Sequence, residues 1–110
     1  MSSSHLGPFI QRLRRDNPDD VMATLQDLAA ASSQNQEVLQ HFVEDLKRLM
    51  MSPHDQCRHA AFDLTKTCLK HSPKLAADFV AAFLHCLEHA EQGVVMSALT
   101  NLAEFTLLCQ

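Results

Sequence analysis

Two clusters of histidine and cysteine are the residues of this sequence that could most readily do chemistry. They are His85, Cys86 and His89, and His54, Cys57 and His59. The spacing of His85 and His89 would let two imidazoles on one helix share a metal ion. Neither cluster has the paired, closely spaced ligands of a structural zinc site. We therefore expect surface histidines, with no metal ion and no other cofactor.

Covalent or acid–base catalysis would need an activated nucleophile or a carboxylate pair. Cys57 and Cys68 lie on or near the apolar stripe of predicted helices, where thiols are usually inert core residues. Asp19 and Asp20 follow a proline that starts a helix, and we interpret them as a solvated first turn. The chain has two glycines and no glycine-rich phosphate loop. The sequence therefore predicts that the protein is not an enzyme.

The four cysteines, the last of which is Cys109, have no pairing rhythm of the kind found in small secreted domains. This pattern indicates reduced thiols in a nuclear or cytosolic protein. No apolar run approaches the roughly 20 residues that a membrane span requires, and no secretory signal follows Met1. The sequence therefore predicts no membrane partner.

Basic residues in the first half of the chain support an alternative function, which is contact with RNA. The residues of this basic ridge are Arg12, Arg14, Arg15, Lys47 and Arg48. Against this function, the net charge of the chain is −4, and residues 75–110 contain no Lys or Arg. No aromatic residues are interleaved with the basic ones, as an RNA-binding surface would often require. A protein partner is therefore favoured over nucleic acid.

The elements that position these residues are predicted to be helices. Leu and Ala are frequent, apolar residues recur with a period of 3.6, and turn formers are rare. The pairs Asn17-Pro18, Ser52-Pro53 and Ser72-Pro73 each place a capping side chain before a proline, which is typical of a helix start. Six helices are predicted, at 6–15, 18–31, 36–50, 53–71, 73–89 and 92–109.

The helices form an internal repeat. Leu25, Ala61 and Leu99 are separated by 36 and 38 residues, and the same two offsets align the first helix of each pair. We therefore expect these three residues to be equivalent and buried, in repeats at about 5–31, 36–71 and 73–109. Short connections make neighbouring helices antiparallel. The predicted fold is an all-α, right-handed solenoid of three antiparallel helix pairs in a single domain, which we interpret as a segment of a longer array.

The repeat resembles HEAT and armadillo repeats, in which an Asp at the turn and a Val-Arg pair in the second helix are common. Asp16 and Cys57-Arg58 fit this pattern in part. Two stretches also resemble the C-terminal helical repeats of the largest scaffold subunit of the Integrator complex. They are HLGPFIQRLRRDNPDDVMATLQDLAAAS at 5–32 and SALTNLAEFTLLCQ at 97–110. This resemblance implies a nuclear, non-catalytic scaffold that binds other subunits and supports small nuclear RNA 3′-end processing and termination by RNA polymerase II.

Partner-binding residues are expected on the second helix of each pair and at the end of the last helix. They are Gln26, His59, Phe62, Lys66, Thr100, Leu107 and Leu108. Phe62 has two interpretations, an exposed anchor for a partner or a contact between neighbouring repeats. Leu107 and Leu108 predict either self-association through the last helix or a partner with apolar residues surrounded by Lys or Arg.

Overall fold

The computed structural model describes residues 7–14, 17–34 and 36–108, and these residues form helices and turns without a strand. This confirms the all-α prediction. The α-helices are α1 (Gly7–Leu13), α2 (Pro18–Gln34), α3 (Val43–Leu49), α4 (Asp55–His71), α5 (Ala76–Leu87), α6 (Gln92–Thr100) and α7 (Leu102–Leu108). Two 3-10 helices, Gln36–Phe42 and Pro73–Leu75, precede α3 and α5.

Of the three predicted helix starts, Asn17-Pro18 behaves as expected. The Asn17 Oδ1 accepts hydrogen bonds from the backbone N–H groups of Asp19 at 2.9 Å and Asp20 at 3.4 Å. This cap satisfies two amides that the first turn of α2 leaves without an intrahelical partner.

The two serine–proline pairs are used differently. The Ser52 hydroxyl accepts a hydrogen bond from the His54 N–H at 3.2 Å, and α4 starts at Asp55 instead of Pro53. The Ser72 hydroxyl accepts a hydrogen bond from Gln40 Nε2 at 2.7 Å, and the following proline opens a 3-10 helix. Each hydroxyl is bound elsewhere, so neither provides a side-chain cap.

The predicted final helix, 92–109, is divided at Asn101. The Asn101 side-chain amide donates to the Ser97 carbonyl at 2.7 Å, and this residue forms a turn between α6 and α7. An asparagine side chain competes with the backbone for helix carbonyls, which makes it a natural point of interruption.

Consecutive helices pack as pairs. We call α1 and α2 the first pair, α3 and α4 the second pair, and α5 and α6 the third pair, with α7 continuing from α6. Within each pair the two helices contact each other, and α4 also contacts α2, α6 and α7. The long helix α4 therefore lies at the centre of the molecule.

The first two pairs follow the predicted offset. Leu25 and Ala61, which are 36 residues apart, are both buried, and so are Leu13 and Leu49. The same offset relates Leu28 to Leu64 in the second helices, and both side chains are buried.

The predicted register of the third pair is wrong by one residue. Leu99, expected to be buried, is 49% exposed, whereas its neighbour Ala98 is fully buried. Likewise Leu84 is 53% exposed and Phe83 is buried. Ala61 and Ala98 are 37 residues apart, and the same offset relates other buried residues of the second and third pairs. These matches are Phe42 with Phe79, Leu46 with Phe83, Leu49 with Cys86, Cys57 with Val94, and Cys68 with Phe105.

The error has a physical origin in the amphipathic pattern. One residue rotates a position on a helix by about 100°. In α5 and α6 apolar residues occupy both the buried face and the face next to it. An offset of 38 residues therefore also matches apolar residues of the second pair with apolar residues of the third, but these lie on the exposed face. Packing against α4 determines which of these two faces is buried. The Phe83 ring contacts Phe62 of α4 edge-on, with ring centroids 6.3 Å apart, and stacks on Phe105 with centroids 4.6 Å apart.

Candidate protein-interaction surface

Polar contacts join the first pair to the second. Arg48 Nη2 donates to the carbonyl of Leu13 at 2.9 Å, which links α3 to the end of α1. The carboxylate of Asp45, a residue only 5% exposed, lies 3.5 Å from Arg48 and 3.6 Å from Arg14. A cation from each pair therefore shares one buried carboxylate, which holds the two pairs in a defined orientation.

A buried arginine joins the second pair to the third. Arg58, which is 3% exposed, donates from Nε to Ser97 Oγ at 2.7 Å and from Nη1 to the Ser52 carbonyl at 2.8 Å. Its Nη2 is paired with Asp55. Gly93 leaves room for the guanidinium, since a Cβ there would lie 3.2 Å from Arg58 Nη2. Each guanidinium nitrogen therefore has a partner, as a buried cation requires.

Lys66 forms a second link between the same pairs. Its Nζ donates to Asn101 Oδ1 at 2.9 Å and lies 3.3 Å from Glu104 Oε2 and 3.7 Å from Asp63 Oδ1. The side chain is 14% exposed. Lys66, predicted as a partner-binding residue, thus has its charge engaged within the chain.

The other predicted surface residues of the second helices divide into two groups. Gln26, His59 and Thr100 are exposed on α2, α4 and α6. Phe62 is 1% exposed and packs against Phe83, so it is a contact between neighbouring helix pairs and not an exposed anchor. A partner at this face would therefore meet mostly polar side chains.

The two leucines of the last helix point differently. Leu107 is 69% exposed, whereas Leu108 is half-buried and packs against the core. They do not form one apolar surface, because neighbouring residues on a helix point about 100° apart. Self-association through this helix stays a prediction, and Leu107 alone could take part.

A groove of about 610 Å³ lies between α3 and α5. Its lining combines charged side chains of both signs with two alanines. The lining residues are Glu44, Lys47, Arg48, Met51, Asp78, Ala81, Ala82 and His85.

Comparison of the sequence with known proteins identifies the family of the chain. The sequence model of the Integrator complex subunit 1 R4 domain matches residues 10–110. The chain belongs to this family. The match confirms the resemblance to this Integrator subunit, and it spans the three helix pairs except for residues 7–9 of α1.

Members of the Integrator complex subunit 1 family from three animals align with almost the whole chain. The mouse protein (Mus musculus) is 40% identical over 111 residues and the human protein (Homo sapiens) is 36% identical over 111 residues, each covering 100% of this chain. The Drosophila melanogaster protein is 28% identical over 112 residues and covers 98% of the chain. The chain spans only 5% of the mouse and human proteins and 6% of the fly protein.

The basic ridge is neutralised where the structure describes it. Arg12 lies 3.8 Å from Asp27, and Lys47 lies 2.9 Å from Glu44. Arg14 and Arg48 share Asp45, as described above, and Arg15 lies outside the described residues. Each described cation of the ridge therefore faces a carboxylate, which weakens its attraction for phosphate.

Within each histidine and cysteine cluster, the side chains differ in burial. His54, His59 and His85 are exposed, whereas Cys57 and Cys86 are buried. Among residues 7–14, 17–34 and 36–108, no three His, Cys, Asp or Glu side chains are placed to hold a metal ion. The expectation of a metal-free protein stays a prediction.

In the same part of the chain, no helix is both long enough and apolar enough to cross a membrane.

The buried thiols are held in the protonated form. Burial raises the pKa of Cys57, with a further contribution from the Asp19 carboxylate, and burial alone raises the pKa of Cys68. Burial raises the pKa of Cys86 to about 11, although the positive charge of Arg58 opposes the shift. Cys109 lies outside the described residues. Thiols in this state are poor nucleophiles, because the thiolate is the reactive species.

These three cysteines are expected to resist alkylation in the folded chain. Iodoacetamide at pH 8 should label Cys57, Cys68 and Cys86 roughly tenfold or more slowly than it labels them in 8 M urea, because burial blocks access and disfavours the thiolate. Peptide mapping by mass spectrometry would follow each site. Equal rates for Cys86 in the two conditions would show that this thiol is accessible.

Proposed function

We propose that the chain is a non-catalytic, protein-interaction segment of the Integrator complex, built as a right-handed HEAT-like solenoid. The match of the subunit 1 R4 domain over residues 10–110 carries this proposal. The solenoid would comprise repeats at about 5–31, 36–71 and 73–109 in one domain, as part of a longer array. The close contacts of α4 with helices of all three pairs support such a stack.

The scaffold role is supported by how the helix pairs are joined. Arg48, Arg58 and Lys66 each donate hydrogen bonds from one pair to the next. Hydrogen bonds that involve a charged group contribute about 1.5–3 kcal/mol each, so they resist hinge motion between pairs. A rigid relative orientation is what a subunit needs in order to hold partners at fixed positions.

The partner surface of this proposal is the exposed side of the second helices, which we call the polar face. It consists of Gln26, His59 and Thr100. Second helices of HEAT-like stacks are where extended partners usually bind. Such a scaffold would be nuclear and would support small nuclear RNA 3′-end processing and RNA polymerase II termination through the other subunits that it binds.

Affinity capture tests the proposal. A tagged chain expressed in cells of the source organism is expected to enrich other Integrator subunits from nuclear extract, measured by quantitative mass spectrometry. His59→Glu with Thr100→Glu should reduce that enrichment severalfold, because two carboxylates would be placed on the polar face. The matched control is His41→Glu with Ala77→Glu, two exposed positions that lie outside the second helices and therefore outside this face.

Two results would contradict the proposal. One is enrichment of no Integrator subunit above an untagged control. The other is a capture that disappears after RNase treatment and with Arg12→Ala and Arg48→Ala, which would instead support RNA contact through the basic ridge.

A further inference from the structure

The groove between α3 and α5 is open because contacts that close the first junction of helix pairs are not repeated at the second. Asp45 and Arg48 of α3 make the polar contacts between the first pair and the second. With the 37-residue offset, their counterparts in the third pair are Ala82 and His85. Within the part of the chain that the structure describes, the His85 side chain has no hydrogen-bond or ion-pair partner. The second junction is therefore not bridged on this side.

The two ends of the groove carry opposite charges that the chain does not fully balance. At one end lies Asp78, in the first turn of α5, and its carboxylate has no partner among the described residues. At the other end lies Arg48, whose side chain is 50% exposed. Arg48 shares the Asp45 carboxylate with Arg14, so this anion balances only one of two positive charges.

The distance between these charges defines the spacing of a ligand. Arg48 lies at about the level of His85, because the 37-residue offset makes the two residues equivalent. His85 follows Asp78 by seven residues, which is about 10.5 Å along a helix axis. Three residues of an extended polypeptide span about 10 Å. A cation and an anion three residues apart in an extended segment would therefore reach Asp78 and Arg48 together.

The middle of the groove adds little charge or bulk. Ala81 and Ala82 of α5 line it between the two ends. On the opposite wall, Lys47 and Glu44 of α3 are paired at 2.9 Å, so their charges cancel. A helix with its side chains is about 10–12 Å wide, which is too wide to enter the space between two helices in contact. The groove therefore suits an extended segment with small or apolar residues between its two charges.

Two other occupants fit this groove less well. A second copy of the chain offers no extended segment, since the described residues form helices and short turns. A following repeat of a longer array would stack on the third pair, whereas the groove lies between two pairs that are already in contact.

We propose that the groove between α3 and α5 binds an extended segment of another protein, with a Lys or Arg on Asp78 and an Asp or Glu three residues away on Arg48. Such complementary charges give specificity to a polypeptide interface. This inference rests on the proposed interaction role, and it adds a surface on the first helices that is separate from the polar face.

A synthetic twelve-residue peptide provides the probe. It has one Lys, an Asp three residues later, Ala and Val between them, and Gly and Ser elsewhere. Titrated into the ¹⁵N-labelled 110-residue chain at low ionic strength, it should shift amides of α3 and α5 saturably. We expect binding to weaken at least fivefold when Lys and Asp are made adjacent, because only one of the two charges can then reach its partner.

The variant Ala81→Leu tests the groove without changing its charge. Ala81 is exposed and leucine is a good helix former, so the fold should be kept while the larger side chain fills the groove. Peptide binding should weaken at least tenfold. The matched control is Ala103→Leu, an exposed position of α7 outside the groove, which should leave binding unchanged. Circular dichroism of both variants would confirm that the helices are retained.

The variant Asp78→Lys tests the charge at one end. It should bind the peptide with Glu in place of Lys at least fivefold more tightly than the original peptide, which reverses the native preference. The matched control is Glu88→Lys, an exposed residue at the end of α5 that does not line the groove. This control should keep the native preference, although it changes the net charge equally.

Four outcomes would overturn the inference. They are the absence of saturable shifts in α3 and α5, equal affinity for the spaced and adjacent peptides, an equal loss of binding with Ala103→Leu, and an unchanged preference in Asp78→Lys. Affinity capture of Integrator subunits uses no peptide and is tested at His59 and Thr100. A negative peptide result would therefore leave the proposed function to be judged separately.

Discussion

Replacing Phe83 with alanine is expected to lower the free energy of unfolding by about 3–5 kcal/mol, as for other buried phenylalanines. The ring is 4% exposed, contacts Phe62 edge-on and stacks on Phe105. Its loss would open a cavity where α4, α5 and α7 meet. Urea denaturation followed by circular dichroism at 222 nm would measure the change.

The adjacent residue supplies a sensitive control. Leu84→Ala should change the free energy of unfolding by about 0.5 kcal/mol or less, because this side chain is 53% exposed. With an offset of 38 residues Leu84 would be the core position and Phe83 the surface one. A larger loss for Leu84→Ala than for Phe83→Ala would therefore overturn the 37-residue register.

Removal of the Arg58 side chain is the second change with a large expected effect. Arg58→Ala should lower the free energy of unfolding by roughly 3 kcal/mol, because hydrogen bonds to a charged group are lost and buried acceptors are left without a donor. The Ser52 carbonyl and the Ser97 hydroxyl both lose their guanidinium partner. Denaturation in urea would again report the change.

The variant Asp55→Ala measures how much stability the Arg58–Asp55 ion pair contributes, while the buried hydrogen bonds of Arg58 are kept. The Asp55 side chain is 76% exposed. An ion pair with one partner in solvent usually contributes less than about 1 kcal/mol. The free energy of unfolding of this variant should therefore fall only slightly. If Asp55→Ala proved as destabilising as Arg58→Ala, the ion pair and not the buried hydrogen bonds would be the main contribution of this arginine.

The residues proposed to bind partners differ in how well their exposure could be predicted from the sequence. The polar face could be anticipated, because exposed positions follow from the side of a helix opposite its apolar stripe. Phe62 could not be assigned, since an aromatic residue outside that stripe is either an anchor or a contact with the next pair. Its burial depends on Phe83, which is 21 residues further along the chain.

Arg58 carried a weak sequence signal. The Cys57-Arg58 pair fits the Val-Arg pattern of HEAT repeats, but the pattern does not say what the arginine binds. Its partners include Ser52 on the preceding turn and Ser97 on α6, which is 39 residues away. Such a contact arises only when the second and third pairs pack together.

The sequence by itself determined the helical class, the Asn17-Pro18 helix start, the 36-residue relation of the first two pairs, and the family. These properties depend on local spacing or on the order of residues. Tertiary structure decided which apolar stripe of the third pair is buried, where the last helix is interrupted, and which cations link the pairs. The reason is that α5 and α6 are apolar on more than one side, so their rotation is set by contact with Phe62 and Arg58 of α4.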